Sequence, residues 1–221
     1  MGSDNLFDDV NLSVAEEIIT YAQLISKEGF TKGTWGNISV FHGEYIYITP
    51  SGQPYDKLSL EDICVLRKNG NVVYAKNKPS SESAMHIKIY ESRNDVKAIL
   101  HTHPIYSTIV SITLSSIPPI VEDAVMILGE TLHVSEYALP GTVELAQNAV
   151  AALSNNHCVF LKNHGLVTVG ENLQEAFVAT QVAEKTAQIY IESLKIGNLY
   201  TIPHEHATKL REKYLQSYRQ K

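Results

Sequence analysis

The chain contains 221 residues, of which 44% are hydrophobic and 19% are charged, and this composition is typical of one globular domain. The net charge of −6 and the isoelectric point near 5.8 argue against nucleic acid or an anionic membrane as the main partner, because both favour basic surfaces. There is no apolar run long enough to cross a bilayer, no recognisable signal sequence, and only two cysteines, so we expect a soluble, cytoplasmic protein.

The first predicted element is a helix near the N-terminus. Ser13 and Glu16 have the spacing of a capping box, and apolar residues then recur at helical spacing until Gly29. Short β-rich segments follow, and they predict strands over residues 45–49, 63–67, 72–75, 98–101, 131–134 and 158–162. Asn69-Gly70 lies between two of these strands and predicts a hairpin turn.

Helices are predicted between and after these strands. Shorter helices fit residues 82–92, 105–112 and 142–153, and a long helix begins at Asn172, with Glu175 three residues on, and ends at Gly197. Helices at both ends and hairpins in the middle favour an α/β fold with a largely antiparallel sheet covered by helices. We expect residues 1–221 to form a single domain.

Three histidines form the first candidate site. His101 and His103 close the apolar strand 98–101, and alternate residues of a strand project from the same face, so both rings can bind one ion. Taken alone, the pair is equally typical of polar residues at a strand end. His164 follows another apolar strand directly before Gly165, and a third imidazole at a strand end is what a catalytic metal site with an open position requires. The other histidines have no partner at ligand spacing.

Glu82 and the segment before it form the second candidate site. Glu82 follows Pro79-Ser80-Ser81 at the start of a predicted helix, where a carboxylate can simply interact with the helix dipole. Hydroxyls and free backbone N–H groups at a helix N-terminus can also bind phosphate, and a carboxylate beside that phosphate would lie close to a substrate's reacting carbon. The glycine-containing segments 33–39 and 49–52 could complete the phosphate site, although each is also typical of an ordinary turn.

Together these segments resemble a known family, the class II aldolases of the L-fuculose-phosphate aldolase and L-ribulose-phosphate 4-epimerase type, and the pattern is closest to the L-fuculose-phosphate aldolases. The similarity covers most of the chain, from the first helix to the helix ending near Gly197. The motifs occur in the order of the family: Gly33-Thr34-Trp35-Gly36-Asn37-Ile38-Ser39, Ile48-Thr49-Pro50-Ser51-Gly52, Pro79-Ser80-Ser81-Glu82, His101-Thr102-His103 and Asn163-His164-Gly165.

The resemblance implies a three-layer α/β/α fold, a homotetramer with active sites between subunits, and one divalent metal ion per subunit, zinc or alternatively manganese or cobalt. It implies that Glu82 is the catalytic acid/base. The metal ligands it implies are His101, His103 and His164. The substrate phosphate is expected to bind Asn37, Ser51, Gly52, Ser80 and Ser81.

The C-terminal part of the chain aligns only loosely with the family. Tyr218 matches a tail tyrosine that donates a proton to the aldehyde oxygen, and the tail 200–221 could close the active site. Two positions depart from the family pattern: Glu122 stands where L-fuculose-phosphate aldolase has a tyrosine, and Pro140 stands where an aromatic residue is expected before Gly141.

The function that the resemblance implies is reversible aldol cleavage of a ketose 1-phosphate, of the L-fuculose or 5-deoxypentulose type. The products are dihydroxyacetone phosphate and a short aldehyde, formed through a metal-stabilised enediolate. Related proteins with the same scaffold include sugar-phosphate 4-epimerases, sugar-acid-phosphate decarboxylases and a thiosugar-phosphate dehydratase, and these activities are alternatives. A non-enzymatic alternative is a scaffold domain like the adducin head, which lacks the metal site.

Overall fold

A computed structural model describes residues 11–218, and for Ser217 and Tyr218 it describes only the backbone. In chain order the helices and strands are α1 (Leu12–Lys27), β1 (Asn37–His42), β2 (Tyr45–Ile48), β3 (Cys64–Arg67), β4 (Val72–Tyr74), α2 (Ser83–Ser92), β5 (Ala98–Thr102), α3 (Ile105–Thr113), β6 (Ser116–Ile117), α4 (Glu122–Leu128), β7 (Leu132–His133), α5 (Val143–Leu153), β8 (Cys158–Leu161), β9 (Gly165–Gly170), α6 (Leu173–Ile196) and α7 (His204–Lys213). A π-helical turn, Tyr214–Tyr218, follows α7.

Seven strands form one sheet in the order β4-β3-β2-β1-β5-β9-β8. Each neighbouring pair in this sheet is antiparallel, which confirms the predicted largely antiparallel sheet. Strands β6 and β7 pair with each other in a separate two-stranded sheet. The predicted Asn69-Gly70 turn lies in the β3–β4 hairpin, where Gly70 has a φ of +85°.

Helices cover both faces of the large sheet. Helices α2 and α5 pack on one face, around side chains such as Ile99, and helices α1 and α6 pack on the other, around side chains such as Leu100. These two neighbours in β5 enter different cores because successive side chains of a strand project from opposite faces. Helices α3, α4 and α6 enclose a third apolar cluster that contains Phe160. The three-layer α/β/α fold implied by the family resemblance is therefore confirmed.

Helix α1 does not begin with the predicted capping box. Its N-cap is Asn11, whose side-chain oxygen accepts hydrogen bonds from the Ser13 backbone N–H at 3.2 Å and from the Ser13 hydroxyl at 2.7 Å. Because the Ser13 hydroxyl is a donor to Asn11 and lies inside the helix, Ser13 does not cap it, and the predicted Ser13–Glu16 capping box is wrong. The helix itself ends at Lys27, close to the predicted stop at Gly29.

The long helix α6 begins as predicted. Its N-cap is Asn172, whose side-chain oxygen accepts from the backbone N–H of Glu175 at 2.9 Å, and Gly197 follows its last residue. Strands β1 and β9 and helices α4 and α7 are absent from the predicted elements. Among residues 11–218, no helix combines the length and the apolar character needed to span a bilayer.

Candidate active site

The imidazole rings of three histidines lie together at one end of the large sheet. His101 is in β5, His103 follows the end of β5, and His164 is in the turn between β8 and β9. Their ring centroids are 4.7, 4.7 and 5.1 Å apart, and their ligand nitrogens all lie within 4.8 Å of one another. The structure thus brings together all three residues that the sequence nominated as metal ligands.

Glycine residues make this close arrangement possible. A Cβ atom on Gly165 would lie 2.5 Å from the Thr102 carbonyl oxygen and 2.6 Å from Cδ2 of the His103 ring. Gly36 has a φ of +97°, which favours glycine, and a Cβ atom there would lie 2.7 Å from the His101 carbonyl oxygen. Both positions therefore accept only glycine while the segment 101–103 stays in place.

The hydrogen bond on the far side of His101 defines which nitrogen faces the site. Nδ1 of His101 lies 3.0 Å from the Leu166 carbonyl oxygen, and since a carbonyl oxygen only accepts, the neutral ring carries its hydrogen on Nδ1 and its lone pair on Nε2. This Nε2 lies 3.0 Å from Nε2 of His103 and 3.1 Å from Oε2 of Glu82. A group of nitrogen lone pairs and a carboxylate around one centre is a donor set that suits a divalent cation.

The pKa values of the surrounding imidazoles favour the neutral form. Burial, together with the neighbouring His101, lowers the pKa of His103 to about 3 and the pKa of His164 to about 4. Both rings are consequently neutral near pH 7, which is the state in which an imidazole binds a metal ion.

Glu82 is the N-cap residue of α2 and is only 6% exposed. Burial raises its pKa, but the adjacent His101 and the hydrogen bond from the Asn37 amide lower it by more, so the pKa of Glu82 lies well below its usual range. The ionised carboxylate accepts a hydrogen bond on Oε2 from Asn37 Nδ2 at 2.9 Å. Its other oxygen, Oε1, lies 3.6 Å from Nε2 of His164 and has no hydrogen-bond partner in the described part of the chain.

The five predicted phosphate-binding residues lie around the N-terminus of α2. Pro50 and Pro79 form an isolated antiparallel bridge, which places the segment with Ser51 and Gly52 beside the segment with Ser80 and Ser81. Ser51, Gly52 and Ser81 are exposed, whereas Ser80 is buried and accepts a hydrogen bond from the Glu82 backbone N–H at 3.2 Å. The fifth residue, Asn37, is buried and reaches the same helix end through its bond to Glu82.

Three further positions were named from the family comparison. Glu122 is exposed in the first turn of α4, and Pro140 is exposed in the loop before α5. The adjacent Gly141 has a φ of +78°, and a Cβ atom there would lie 2.9 Å from the Ser81 carbonyl oxygen, so this loop touches the predicted phosphate site. The side chain of Tyr218 lies outside the described residues, and its catalytic role stays a prediction.

One group of buried polar residues behind the site was not predicted. Ser39, His86 and Tyr90 form a hydrogen-bonded chain that ends at Asn37. The signal was available, because residues four apart share a helix face, as Glu82 and His86 do, and residues two apart share a strand face, as Asn37 and Ser39 do.

A cavity of about 970 Å³ lies at the other end of the sheet, next to the start of β8. Its lining includes Arg93, His157 and Arg211, and it contains none of the predicted site residues whose side chains the structure describes. We therefore place the functional site at the histidine cluster, where the ionisable groups converge.

Comparison with known proteins identifies the family of this chain. Residues 16–191 match the family described as Class II Aldolase and Adducin N-terminal domain. The chain belongs to this family. It is 36% identical over 173 residues to an L-fuculose phosphate aldolase of Methanococcus maripaludis, a match that covers 78% of this chain and 93% of the relative. It is 34% identical over 201 residues to a 5-deoxy-D-ribulose 1-phosphate aldolase of Bacillus thuringiensis serovar kurstaki, covering 90% of this chain and 94% of the relative.

The solved structures include an L-fuculose 1-phosphate aldolase that matches with a TM-score of 0.90 and 35% identity, over 93% of this chain and 98% of that chain. The recognition of the family from its motifs is therefore confirmed. Class II aldolases are lyases that use a divalent metal, and this chain is an enzyme of that metal-dependent aldehyde-lyase class with a histidine cluster that could bind the ion.

Proposed function

We propose that this enzyme reversibly cleaves a ketose 1-phosphate to dihydroxyacetone phosphate and a short aldehyde. The candidate substrates are L-fuculose 1-phosphate and 5-deoxypentulose 1-phosphates, which are the substrate types in the names of its relatives. The observation that carries the proposal is the position of Glu82, whose ionised carboxylate faces three imidazoles and keeps Oε1 without a partner among the described residues.

We assign the metal to His101, His103 and His164, with zinc as the ion and manganese or cobalt as alternatives. Three neutral imidazoles with further coordination positions open are typical of catalytic sites for such ions. When bound, the divalent ion supplies the Lewis acidity that stabilises the enediolate of dihydroxyacetone phosphate. Nδ1 of His101 stays hydrogen-bonded to Leu166, which keeps Nε2 directed into the site.

Glu82 acts as the acid/base on the carbon next to the carbonyl. In the direction of aldol addition, Oε1 accepts a proton from C3 of dihydroxyacetone phosphate, and in the direction of cleavage it returns that proton. The pKa of Glu82 is held below its usual range, which keeps the carboxylate in the ionised form that a proton acceptor requires. Tyr218 is proposed to give a proton to the aldehyde oxygen as that oxygen gains negative charge.

The substrate phosphate is proposed to bind Asn37, Ser51, Gly52, Ser80 and Ser81. Ser51 and Ser81 offer exposed hydroxyl groups. Gly52 has a φ of +72°, and beyond its chain neighbours no described atom lies within 4 Å of the position that a Cβ atom would take, so a ligand can approach its backbone closely. Because these residues surround the end of α2 that carries Glu82, a bound phosphate fixes the distance between the carboxylate and the reacting carbon.

We also propose that the subunits assemble as a homotetramer. Ile105, Ile109 and Ile112 lie on one face of α3 and are 67%, 36% and 55% exposed, and α3 begins directly after His103 and Pro104. Trp35, which is 68% exposed, has its ring 6.4 Å from that of His103. Exposed apolar side chains concentrated beside a catalytic cluster are typical of a subunit interface.

The tail 200–221 is proposed to close an active site in this assembly. In its described part, Arg211 of α7 donates hydrogen bonds to the Met126 and Ile127 carbonyl oxygens, and Ile202 N–H donates to the Pro119 oxygen at 2.8 Å, so the tail packs on α4. We further propose a cytoplasmic location, because the two buried cysteines are free thiols, which suits a reducing compartment.

Product analysis tests the proposed reaction. The metal-loaded protein is incubated with L-fuculose 1-phosphate and with 5-deoxypentulose 1-phosphates, and dihydroxyacetone phosphate is measured by reduction with NADH in a coupled assay. We expect dihydroxyacetone phosphate from at least one of them. Consumption of the sugar without this product would instead favour epimerase or dehydratase chemistry, and no consumption of any sugar phosphate would favour the scaffold alternative.

A further inference from the structure

We propose that His86 is a positioning residue for the reaction. It donates a hydrogen bond from Nε2 to the Asn37 side-chain oxygen and thereby holds the NH2 group of Asn37 on the Glu82 carboxylate. The catalytic part of this inference rests on the proposed function, whereas the orientation of the Asn37 amide does not depend on it.

A continuous chain of hydrogen bonds connects these residues. Nε2 of His86 lies 2.5 Å from Oδ1 of Asn37, and Nδ1 of His86 lies 2.6 Å from the Ser39 hydroxyl. The Ser39 hydroxyl lies 2.8 Å from the Tyr90 hydroxyl. At the other end, Nδ2 of Asn37 lies 2.9 Å from Oε2 of Glu82. All five side chains are buried, so solvent does not readily replace any of these partners.

The direction of every hydrogen bond follows from the carboxylate. An ionised carboxylate only accepts, so the group of Asn37 that faces Glu82 is the NH2 group, and its oxygen faces His86. That oxygen also only accepts, and Nε2 of His86 must therefore carry a hydrogen. In a neutral ring the other nitrogen, Nδ1, then has a lone pair and accepts from the Ser39 hydroxyl.

The last hydrogen in the chain belongs to Tyr90. Since the hydroxyl hydrogen of Ser39 is directed at His86, the Tyr90 hydroxyl donates to the Ser39 oxygen, and its contact with the Lys97 carbonyl oxygen, at 3.4 Å, is longer. Each donor in the chain thus points toward Glu82. Neighbouring hydrogen bonds of one direction strengthen each other, which increases the positive character of the Asn37 NH2 group.

The opposite orientation of the Asn37 amide is strongly disfavoured. It would place the amide oxygen 2.9 Å from a carboxylate oxygen, where neither atom has a hydrogen to give. It would also require His86 to accept at Nε2 and to donate from Nδ1, so that Ser39 would have to turn its hydroxyl hydrogen to Tyr90. The carboxylate thus selects between two orientations of Asn37 that have nearly the same shape, and His86, with its hydrogen on Nε2, holds the amide in the selected one.

Burial keeps His86 in the state that this arrangement needs. Its ring is fully buried, and burial together with the nearby His101 lowers the pKa of His86 to about 3. The ring is neutral near pH 7, and Nδ1 can accept from Ser39 only in the neutral state. One N–H of Asn37 is then used by Glu82, and we assign the second N–H of the same NH2 group to the proposed substrate phosphate.

The first experiment measures the tautomer of His86 in the wild-type enzyme. Two-dimensional ¹⁵N–¹H spectra that correlate ring nitrogens with ring carbon-bound hydrogens are recorded on the metal-loaded protein, and His86 is assigned by comparison with His86→Gln. We expect hydrogen on Nε2 and a bare Nδ1. Hydrogen on Nδ1, or on both nitrogens near pH 7, would overturn the inference, and this result does not depend on any enzymatic activity.

The second experiment measures the catalytic consequence with matched variants. His86→Leu removes the donor to Asn37, whereas His86→Gln keeps an NH2 group that can make the same bond. Thr180→Val is the control. It also removes a buried hydroxyl, which is hydrogen-bonded to Thr168 at 2.7 Å and lies outside the series of hydrogen bonds from Tyr90 to Glu82. The readouts are exchange of the C3 hydrogen of dihydroxyacetone phosphate in D2O, kcat and KM for cleavage, and metal content.

We expect His86→Leu to lower the exchange rate and kcat about 10- to 100-fold, the range typical for residues that orient a group at a metal site, with unchanged metal content. His86→Gln should recover much of this loss, and Thr180→Val should keep the wild-type rates. Equal rates for His86→Leu and Thr180→Val would contradict a positioning role. If His86→Leu does not fold, Ser39→Ala replaces it, since it removes the donor to Nδ1 with little change in volume, and an unchanged exchange rate in that variant would also contradict the role.

Failure of the proposed function gives a different pattern. If the wild type neither cleaves a ketose 1-phosphate nor exchanges the hydrogen of dihydroxyacetone phosphate, the aldolase proposal fails. In that case the tautomer still decides the structural part of the inference, because Nε2–H supports the fixed orientation of Asn37 and Nδ1–H contradicts it.

Discussion

Asn37 and His101 lie directly opposite each other on the paired strands β1 and β5. The register of one strand pair therefore sets the position of a proposed metal ligand relative to the amide that binds Glu82. Oε2 of Glu82 contacts both residues, at 2.9 Å from Nδ2 of Asn37 and 3.1 Å from Nε2 of His101. The proposed acid/base carboxylate is held from two adjacent strands and would need little rearrangement before proton transfer.

Replacement of the proposed acid/base tests its role directly. We expect Glu82→Gln to reduce formation of dihydroxyacetone phosphate by about 10²- to 10⁴-fold, because positioned acid/base groups contribute factors of this size. The amide has nearly the shape of the carboxylate, so the fold should be retained. The coupled assay measures the rate, and metal content serves as the control. A rate close to that of the wild type would show that another group transfers the proton.

Metal removal should abolish activity reversibly. Dialysis against a chelator is expected to stop cleavage, and zinc, manganese or cobalt should restore it to different extents. His103→Ala should bind metal at least about 10-fold more weakly, because it removes one of three imidazoles from the cluster. His133→Ala is the matched control, since His133 is exposed in β7 and outside the cluster. Full activity in the chelated enzyme would contradict the metal-dependent mechanism.

Because Gly165 packs closely against its neighbours, we expect that adding one methyl group at this position disturbs the proposed metal site. Gly165→Ala should displace the Thr102 backbone or the His103 ring and lower both metal affinity and stability, because its Cβ atom would lie 2.5 and 2.6 Å from them. Gly197→Ala is the control, as no described atom beyond its chain neighbours lies within 4 Å of the added methyl group. Metal titration and thermal unfolding of the two variants provide the measurement. Similar metal affinity in both would contradict the described geometry.

The buried His86 predicts a loss of stability in acid. Its pKa is about 3 in the folded protein and 6.5 in the unfolded chain, so below pH 6.5 the unfolded chain binds a proton that the folded protein does not. The free energy of unfolding should therefore decrease by roughly 1.4 kcal/mol per pH unit below that pH from this residue, and this contribution should be constant above it.

Urea unfolding at about pH 7 and about pH 5 measures this effect. His103 and His164 act in the same direction, so the contribution of His86 is the difference between the wild type and His86→Gln, which cannot bind a proton at this position. The two proteins should differ in the slope of stability with pH. Parallel slopes would indicate that His86 is already accessible to protons in the folded state.

If the exposed face of α3 is a subunit interface, charged substitutions on that face should dissociate the proposed tetramer. Ile105→Asp combined with Ile112→Asp should convert a tetramer to smaller species, because each change places a charge in an apolar contact. Val72→Asp is the control, as Val72 is 56% exposed on the edge strand β4. Sedimentation velocity measures the assembly state. A wild-type enzyme that is fully active as a monomer would contradict the proposed assembly.

The candidate site could be predicted from the sequence because metal binding and proton transfer each require particular residue types. His101, His103, His164 and Glu82 could be nominated because they follow apolar strands or begin a helix, and the structure places them together. Strands β1 and β9 were missed for a physical reason. β9 is bounded by Gly165 and Gly170, and β1 begins with Asn37 directly after the glycine-containing segment 33–36, so residues that are depleted in strands and typical of turns obscure both elements.

Buried polar residues and helix ends were harder to predict. His86 lies between the buried residues Met85 and Ile89, and only its four-residue spacing from Glu82 distinguishes it in the sequence from a histidine packed in an apolar core. Its partners Asn37 and Ser39 are more than forty positions away, and only the pairing of β1 with β5 brings them near α2. For α1, the nearer Asn11 side chain engages Ser13 before the predicted cap can form.

The proposed metal ligands come from two places that are joined by the pairing of β5 with β9. His101 faces Val167 across that pairing, and His164 precedes the first residue of β9, so the pairing holds both imidazoles at one place, which an unfolded chain does not do. An ion that binds only the native state shifts the folding equilibrium toward it. Metal uptake is then expected late in folding, and growth conditions poor in the ion should yield enzyme that is both inactive and more readily degraded.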